Sequence, residues 1–284
     1  MSLPAAAGQV PADLVTADVA AASADLERRF DGLRRLYGDA GYRRLRQARV
    51  AVVGLGGVGS WAVEALARSG VATLWLFDLD HVSESNINRQ VQALGRTMGQ
   101  AKAHALRERI ADIHPGCTVH AVEEFVSPDN WPALLGASVD VLIDACDQVR
   151  AKATLAAWGL QAGVPVVCVG AAGGKRLAQA VEVADLAQAS HDPLLASMRQ
   201  RLRQAGVAPR AAAGAVRPVG LRCVFSREAV ALPPQACNAG SQVATDGSLN
   251  CHGYGSSVTV TATFGMVAAG EAISQLLARP ARAG

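Results

Sequence analysis

Between Arg49 and Val169, short apolar runs alternate with longer stretches whose apolar residues recur every three to four positions. The runs fall near 50–53, 72–77, 117–122, 139–143 and 165–169, and the helical stripes near 58–69, 99–113 and 148–162. Apolar runs with little polar alternation predict strands buried on both faces. Their alternation with helices predicts an α/β fold with a mostly parallel central sheet flanked by helices.

Outside that region the rhythm changes. Residues 1–24 are Ala-rich with no clear amphipathic repeat and read as a mobile tail. A helical segment is expected from Asp25 to Gln47, interrupted near Gly32, Gly38 and Gly41. Beyond Gly170, Ala171-Ala172-Gly173-Gly174 reads as a flexible turn, 179–183 as a strand, and Asp192-Pro193 as the cap and first residue of a helix. A strand at 221–225 leads to a long polar loop, about 232–257, and an apolar helix, about 258–278, follows. That helix looks at first like a membrane span, but Thr259, Thr261, Thr263 and Glu271 interrupt it, so a buried core helix is expected. The chain thus divides into a tail (1–24), a nucleotide-binding part with N-terminal helices (25–170) and a C-terminal part of the same domain (171–284).

Composition narrows the function classes. Half of the 284 residues are hydrophobic and only 4% aromatic, so the core must be mostly Ala, Val and Leu. A net charge of +3 does not by itself imply nucleic acid. Only three of the 27 basic residues are Lys (Lys102, Lys152, Lys175), which makes each worth inspection. The six cysteines show no CxxC spacing and the six histidines no metal-ligand spacing, which argues against a zinc site. With no charged leader and apolar run at its start, the chain reads as a reduced, cytoplasmic protein. Cys146 and Cys168 are expected as small buried hydrophobes, and Cys237 as the more exposed thiol.

The chemistry begins where Val50-Ala51-Val52-Val53 runs into Gly54-Leu55-Gly56-Gly57-Val58-Gly59 and a helix. A strand, glycine turn and helix start let backbone approach a phosphate and aim N–H groups at it. Alone this would suggest a dinucleotide. A nicotinamide cofactor, however, has no need of an Arg, a Lys and a second carboxylate, and here Asp78, Asp80, Asn86, Arg89, Gln90, Lys102 and Asp147 follow. ATP does need them. Asp78 or Asp80 suits ribose hydroxyls, Lys102 and Arg89 suit phosphates, and Asp147 suits Mg²⁺. Blander roles compete: Asp144 as a helix cap, Asn86 and Asn88 as turn residues, Lys102 as a solvated helix residue.

Together, Val52–Ser60, Phe77–Asp80, Ser85–Gln90, Gly99–Ala103 and Asp144–Asp147 resemble the ThiF/MoeB/ubiquitin-activating family. The resemblance implies a Rossmann-like, usually homodimeric enzyme that adenylates a carboxylate with MgATP. It implies Gly56, Asp78, Asn86, Arg89, Lys102 and Asp147 around ATP and Mg²⁺, with Gly54, Gly57, Gly59, Asp80, Gln90 and Asp144 as further nucleotide candidates. It also implies an Arg from the other subunit's N-terminal segment, matched here by Arg29 or Arg35. Arg89, Lys102 and Asp147 are the residues expected to carry the chemistry.

Further segments are similar to the branch of that family acting on threonylcarbamoyladenosine in tRNA. They are Arg29-Phe30 with Arg35–Gly38, Phe125–Asn130, Asp147–Lys152, Asp192–Leu194 and Cys223–Ser226, and the likeness covers about residues 27–278. It implies that the substrate carboxylate forms an acyl-adenylate and that a nitrogen of the same group then displaces AMP, closing a ring with net loss of water. The paired CxxC motifs of the sulfur-carrier activators are absent, Cys237 receives no catalytic role, and a cysteine desulfurase or sulfur-acceptor system is a further implied partner. The stretch from Met198 to Arg227, with Arg199, Arg201, Arg203, Arg210, Arg217, Arg222 and Arg227 and no acid, is a candidate tRNA-backbone contact or a solvated helix and loop. Three readings compete with this one: activation of a sulfur-carrier or ubiquitin-like C-terminus, an NAD(P) oxidoreductase, and a sulfur-relay scaffold. Whether Lys152, Arg150 or backbone amides activate the substrate carbonyl stays open at this point.

Overall fold

The computed structural model describes residues 25–209, 217–231 and 254–279. Their elements are α1 (Leu26–Leu45), β1 (Arg49–Val53), α2 (Gly59–Arg68), β2 (Thr73–Phe77), α3 (Lys102–Ile113), β3 (Thr118–Val122), β4 (Val141–Asp144), α4 (Val149–Ala162), β5 (Val166–Val169), β6 (Val181–Asp185), α5 (Pro193–Gln204), β7 (Arg222–Ser226) and α6 (Val258–Ala278). The sheet order is β3-β2-β1-β4-β5-β7-β6. Every pairing is parallel except β6 with β7, so the one antiparallel strand sits at an edge.

Successive strand residues face opposite sides, and two cores result. Val50, Val52, Leu74, Leu76, Ile143 and Val167 face α2, α3 and α6. Ala51, Val53, Trp75, Phe77, Leu142 and Cys168 face α4 and α5. Side chains on both faces are buried, which is why these strands read as unbroken apolar runs.

The hydrophobic helix α6 is long and apolar enough to cross a bilayer by length and composition. Val260, Phe264, Ala268, Ala272 and Leu276, four residues apart, bury its stripe against the sheet and α2. It crosses α2 so closely that a Cβ on Gly265 would lie 2.4 Å from the Val58 carbonyl oxygen. Ser257 caps its start and Asp192 that of α5.

Three local expectations are corrected. Among the glycines of α1 only Gly38 breaks helical geometry (φ 70°, ψ 174°); Gly32 and Gly41 lie within the helix. Gln179 and Ala180 belong to a 3-10 turn, so β6 starts at Val181. The helix expected from 99 begins at Lys102, because Gly99 takes φ +78° and His81 bridges Ala101. The tail 1–24 and Cys237 lie outside the described residues.

Candidate functional site

At the carboxyl ends of β1, β2, β4 and β5, where open parallel sheets bind ligands, lies a cavity of about 680 Å³. One wall is the glycine turn. Gly54 takes φ +85°, and a Cβ there would stand 2.8 Å from the Ala145 carbonyl and the Cys146 nitrogen. Gly56 and Gly57 face the cavity, and a Cβ at Gly56 would meet nothing within 4 Å. Gly59 does not line it: as the first residue of α2 it packs on Gly54, whose carbonyl oxygen would be 1.8 Å from an added Cβ.

Asp78, just past β2, holds the turn. Its Oδ2 accepts the Leu55 N–H at 2.6 Å and its Oδ1 the Asp80 N–H at 2.9 Å. Burial pushes its pKa up, against the opposing pull of Lys102 and these two N–H donors. Lys102, the first residue of α3, is nearly enclosed and places Nζ 2.7 Å from Asp80 Oδ2 and 4.0 Å from Asp78 Oδ1. Gln92 Nε2 donates to Leu55 O and to Gln90 Oε1. The Asn86 side chain accepts from Ser83 N–H, closing the 3-10 turn Glu84–Asn86 that carries Arg89. Arg89 Nη1 donates to Ser85 O at 2.6 Å and Asn88 Oδ1 at 3.0 Å, while Trp61 Nε1 holds the Arg89 carbonyl.

On the far side Asp147 and Gln148 reach the wall just beyond β4, followed by Gly170–Gly173 after β5 and Tyr254–Ser256 before α6. Asp192 fixes the Gly170 loop, its Oδ2 accepting Ala171 N–H and its Oδ1 Leu195 N–H. Gly174 then ties two distant pieces of chain together: its N–H donates to Gly255 O at 2.9 Å, and Ala231 N–H donates to its carbonyl at 2.7 Å.

The structure therefore brings Gly54, Gly56, Gly57, Asp78, Asp80, Asn86, Arg89, Gln90, Lys102 and Asp147 to one cavity. It does not bring Asp144, Arg29 or Arg35. Asp144 is fully buried and paired with Lys152, 2.9 Å away, so it is neither on the wall nor a cap of α4. Arg29 donates to the Asp112 and Ile113 carbonyls at the carboxyl end of α3, the end remote from Lys102, and Arg35 pairs with Asp31. Within one chain, neither Arg faces the cavity. Sequence reasoning missed Phe125, Leu194, Tyr254 and Thr261 as wall residues. Phe125 and Leu194 lie in segments that carry the resemblance, and Thr261 is a polar residue among the buried positions of α6; its hydroxyl is buried without a partner.

Among the described residues no three metal-ligating side chains converge. Asp80 and Asp147 both line the cavity, and carboxylates of this kind suit an ion that takes one or two of them and fills its shell from phosphates and water. The Arg-rich stretch is less basic in space than in sequence. Arg199 donates to the Leu186 and Ala189 carbonyls, Arg222 pairs with Glu271, Arg227 pairs with Glu182, and Arg210 is outside the described residues.

A model of the ThiF family matches residues 29–283. The chain is 40% identical to the tRNA threonylcarbamoyladenosine dehydratase of Escherichia coli strain K12, over 90% of this chain and 96% of that protein. Crystal structures of the E. coli tRNA N6-threonylcarbamoyladenosine dehydratase in complex with ATP and with AMP superpose with a TM-score of 0.79 each, at 39% identity. They cover 90% of this chain and 96% and 97% of theirs.

Proposed function

The chain belongs to the ThiF family, and from that membership we propose that it is an ATP-dependent tRNA threonylcarbamoyladenosine dehydratase working through a carboxyl-adenylate. The observation that carries the reading is the meeting of Arg89, Lys102 and Asp147 with the glycine turn on one cavity. Its substrate is a tRNA bearing threonylcarbamoyladenosine, and its products are the cyclised base, AMP and pyrophosphate.

Each group has a task that its position suits. The Gly56–Gly57 backbone offers close approach to phosphate at the start of α2. Arg89 and Lys102 offset charge as the carboxylate attacks the α-phosphate and pyrophosphate leaves. Asp147, with Asp80, would hold Mg²⁺, which supplies positive charge to the phosphate oxygens when bound. Ring closure is intramolecular, so holding the acyl group and nitrogen in place can supply much of the remaining acceleration. No Ser–His or Cys–His pair is needed.

Arg29 and Arg35 enter only if α1 of a second copy crosses this cavity, so a homodimer is part of the reading. Loss of activity on Arg35→Ala that is restored by mixing with a Lys102→Met protein would support it. The cytoplasm holds both the tRNA and ATP and is the proposed location. A cysteine desulfurase or sulfur-acceptor partner is tested by its co-purification with this protein. The central test incubates the protein with MgATP, with and without modified tRNA. AMP and pyrophosphate released only with that tRNA support the reading. ADP formation overturns it, and stimulation by a Gly-Gly-ended protein transfers it to the sulfur-carrier class.

A further inference from the structure

Lys152 is completely buried in a chain with three lysines. From the first turn of α4 it reaches back toward the end of β4. Its Nζ lies 2.9 Å from Asp144 Oδ2 and donates to the Asp144 carbonyl at 3.3 Å and the Cys146 carbonyl at 3.0 Å. The group is fully enclosed and its hydrogen bonds go to two backbone carbonyls, so it is not offered to a substrate carbonyl. Burial pulls the group toward the neutral form, and the Asp144 carboxylate more than reverses that, so Lys152 stays charged. Asp144 Oδ1 in turn accepts the Cys146 N–H and thiol.

The turn Asp144–Cys146 is thus tied to α4 from below and pressed from the side against Gly54. The next residue is Asp147, on the cavity wall. Replacing a buried ion pair by neutral groups of similar volume is often neutral or stabilising, so stability alone is a weak reason for this one. We propose that Lys152 is a positioning residue: by gripping the carbonyls on either side of Ala145, it sets where Asp147 meets the metal-bound nucleotide. The inference rests on the nucleotide role assigned to Asp147 above and adds to it the device that fixes its location.

The test compares nucleotide affinity with Mg²⁺ and with EDTA, by calorimetry and without tRNA, alongside thermal melting. The variants are Lys152→Met, Asp144→Asn with Lys152→Met, and Asp147→Asn. The double variant removes both charges while keeping an acceptor for the Cys146 N–H. On this reading the wild type binds MgATP more tightly than ATP in EDTA. The expected result is at least a tenfold loss of that preference in both Lys152 variants, with metal-free ATP affinity within about threefold of wild type and the double variant melting above Lys152→Met alone, which leaves a buried carboxylate unpaired. Adding Asp147→Asn to the double variant should cost nothing further, because the two changes remove one interaction. A folded double variant that keeps its Mg²⁺ preference overturns the proposal and leaves the nucleotide assignment standing. Failure of both Lys152 variants to fold overturns it as well, by making the pair a folding requirement. A wild type without Mg²⁺ preference removes the metal role of Asp147 and this inference with it.

Discussion

Gly54 and Gly56, two residues apart in one turn, should fail in opposite ways when given a methyl group. At Gly54 an alanine must hold φ near +85°, which costs about 1–2 kcal/mol. Its Cβ would also stand 2.8 Å from the Ala145 and Cys146 backbone, which cannot swing aside as a side chain could. Such overpacking adds about 1–3 kcal/mol. A central total of about 3.5 kcal/mol lowers the Tm by roughly 7–14 °C for a protein of this order of size. At Gly56 the added carbon meets nothing within 4 Å and projects into the cavity. Gly56→Ala should therefore melt within about 2 °C of wild type, yet bind MgATP about 10- to 100-fold more weakly, a loss of ~1.4–2.8 kcal/mol. Differential scanning calorimetry and nucleotide titration on both variants decide the matter. A Gly54→Ala protein that melts with wild type, or a Gly56→Ala protein that binds nucleotide normally, refutes this account of the turn.

Three further outcomes follow from single contacts. Lys102→Met should cut AMP formation by about 10²–10³-fold, measured as radiolabelled AMP at saturating ATP; retention of normal turnover would remove Lys102 from the phosphate site. Glu64, almost wholly enclosed, accepts from Arg109 and Arg68. Burial pushes its pKa up, but those hydrogen bonds outweigh it, so its folded value lies below the ordinary 4.5. Its stabilisation is complete above that ordinary value and fades as acid protonates the folded carboxylate. Glu64→Gln should lose about 2 kcal/mol at neutral pH, and the difference in Tm should shrink as the pH drops below 4.5; a gap independent of pH contradicts the sign. Arg199→Ala should lower stability by about 1–2 kcal/mol, because two carbonyls lose their donor, while tRNA affinity and its salt slope stay as in wild type. A slope reduced by about one would place Arg199 on a phosphate instead.

Strands β1, β2, β4 and β5 were readable because they are apolar and buried on both faces; β1, β2 and β5 fall within a residue of their expected bounds. That the glycine turn, Asp78, Arg89 and Lys102 meet on one cavity was readable because they follow the carboxyl ends of β1 and β2. Asp144 was misread for a physical reason. It stands three positions from Asp147 at the same strand end, and position in the chain does not reveal which carboxylate turns inward to meet Lys152. Arg199 shows the same limit, since a guanidinium spent on carbonyls looks in sequence like one offered to tRNA. Gly41 was taken for a helix break, whereas it lies within α1, where a Cβ would sit 2.8 Å from Tyr37 Cβ and 3.4 Å from Leu277 Cδ2.

The paired bonds at Gly174 have an evolutionary consequence. Ala231 and Gly255 are stapled to the same residue, so whatever joins them starts and ends at nearly one point in space. Doubling the length of such a connection costs only ~0.6 kcal/mol in closure entropy. Insertions and deletions between those staples can accumulate in descendants of this sequence while the pocket beside them keeps its shape.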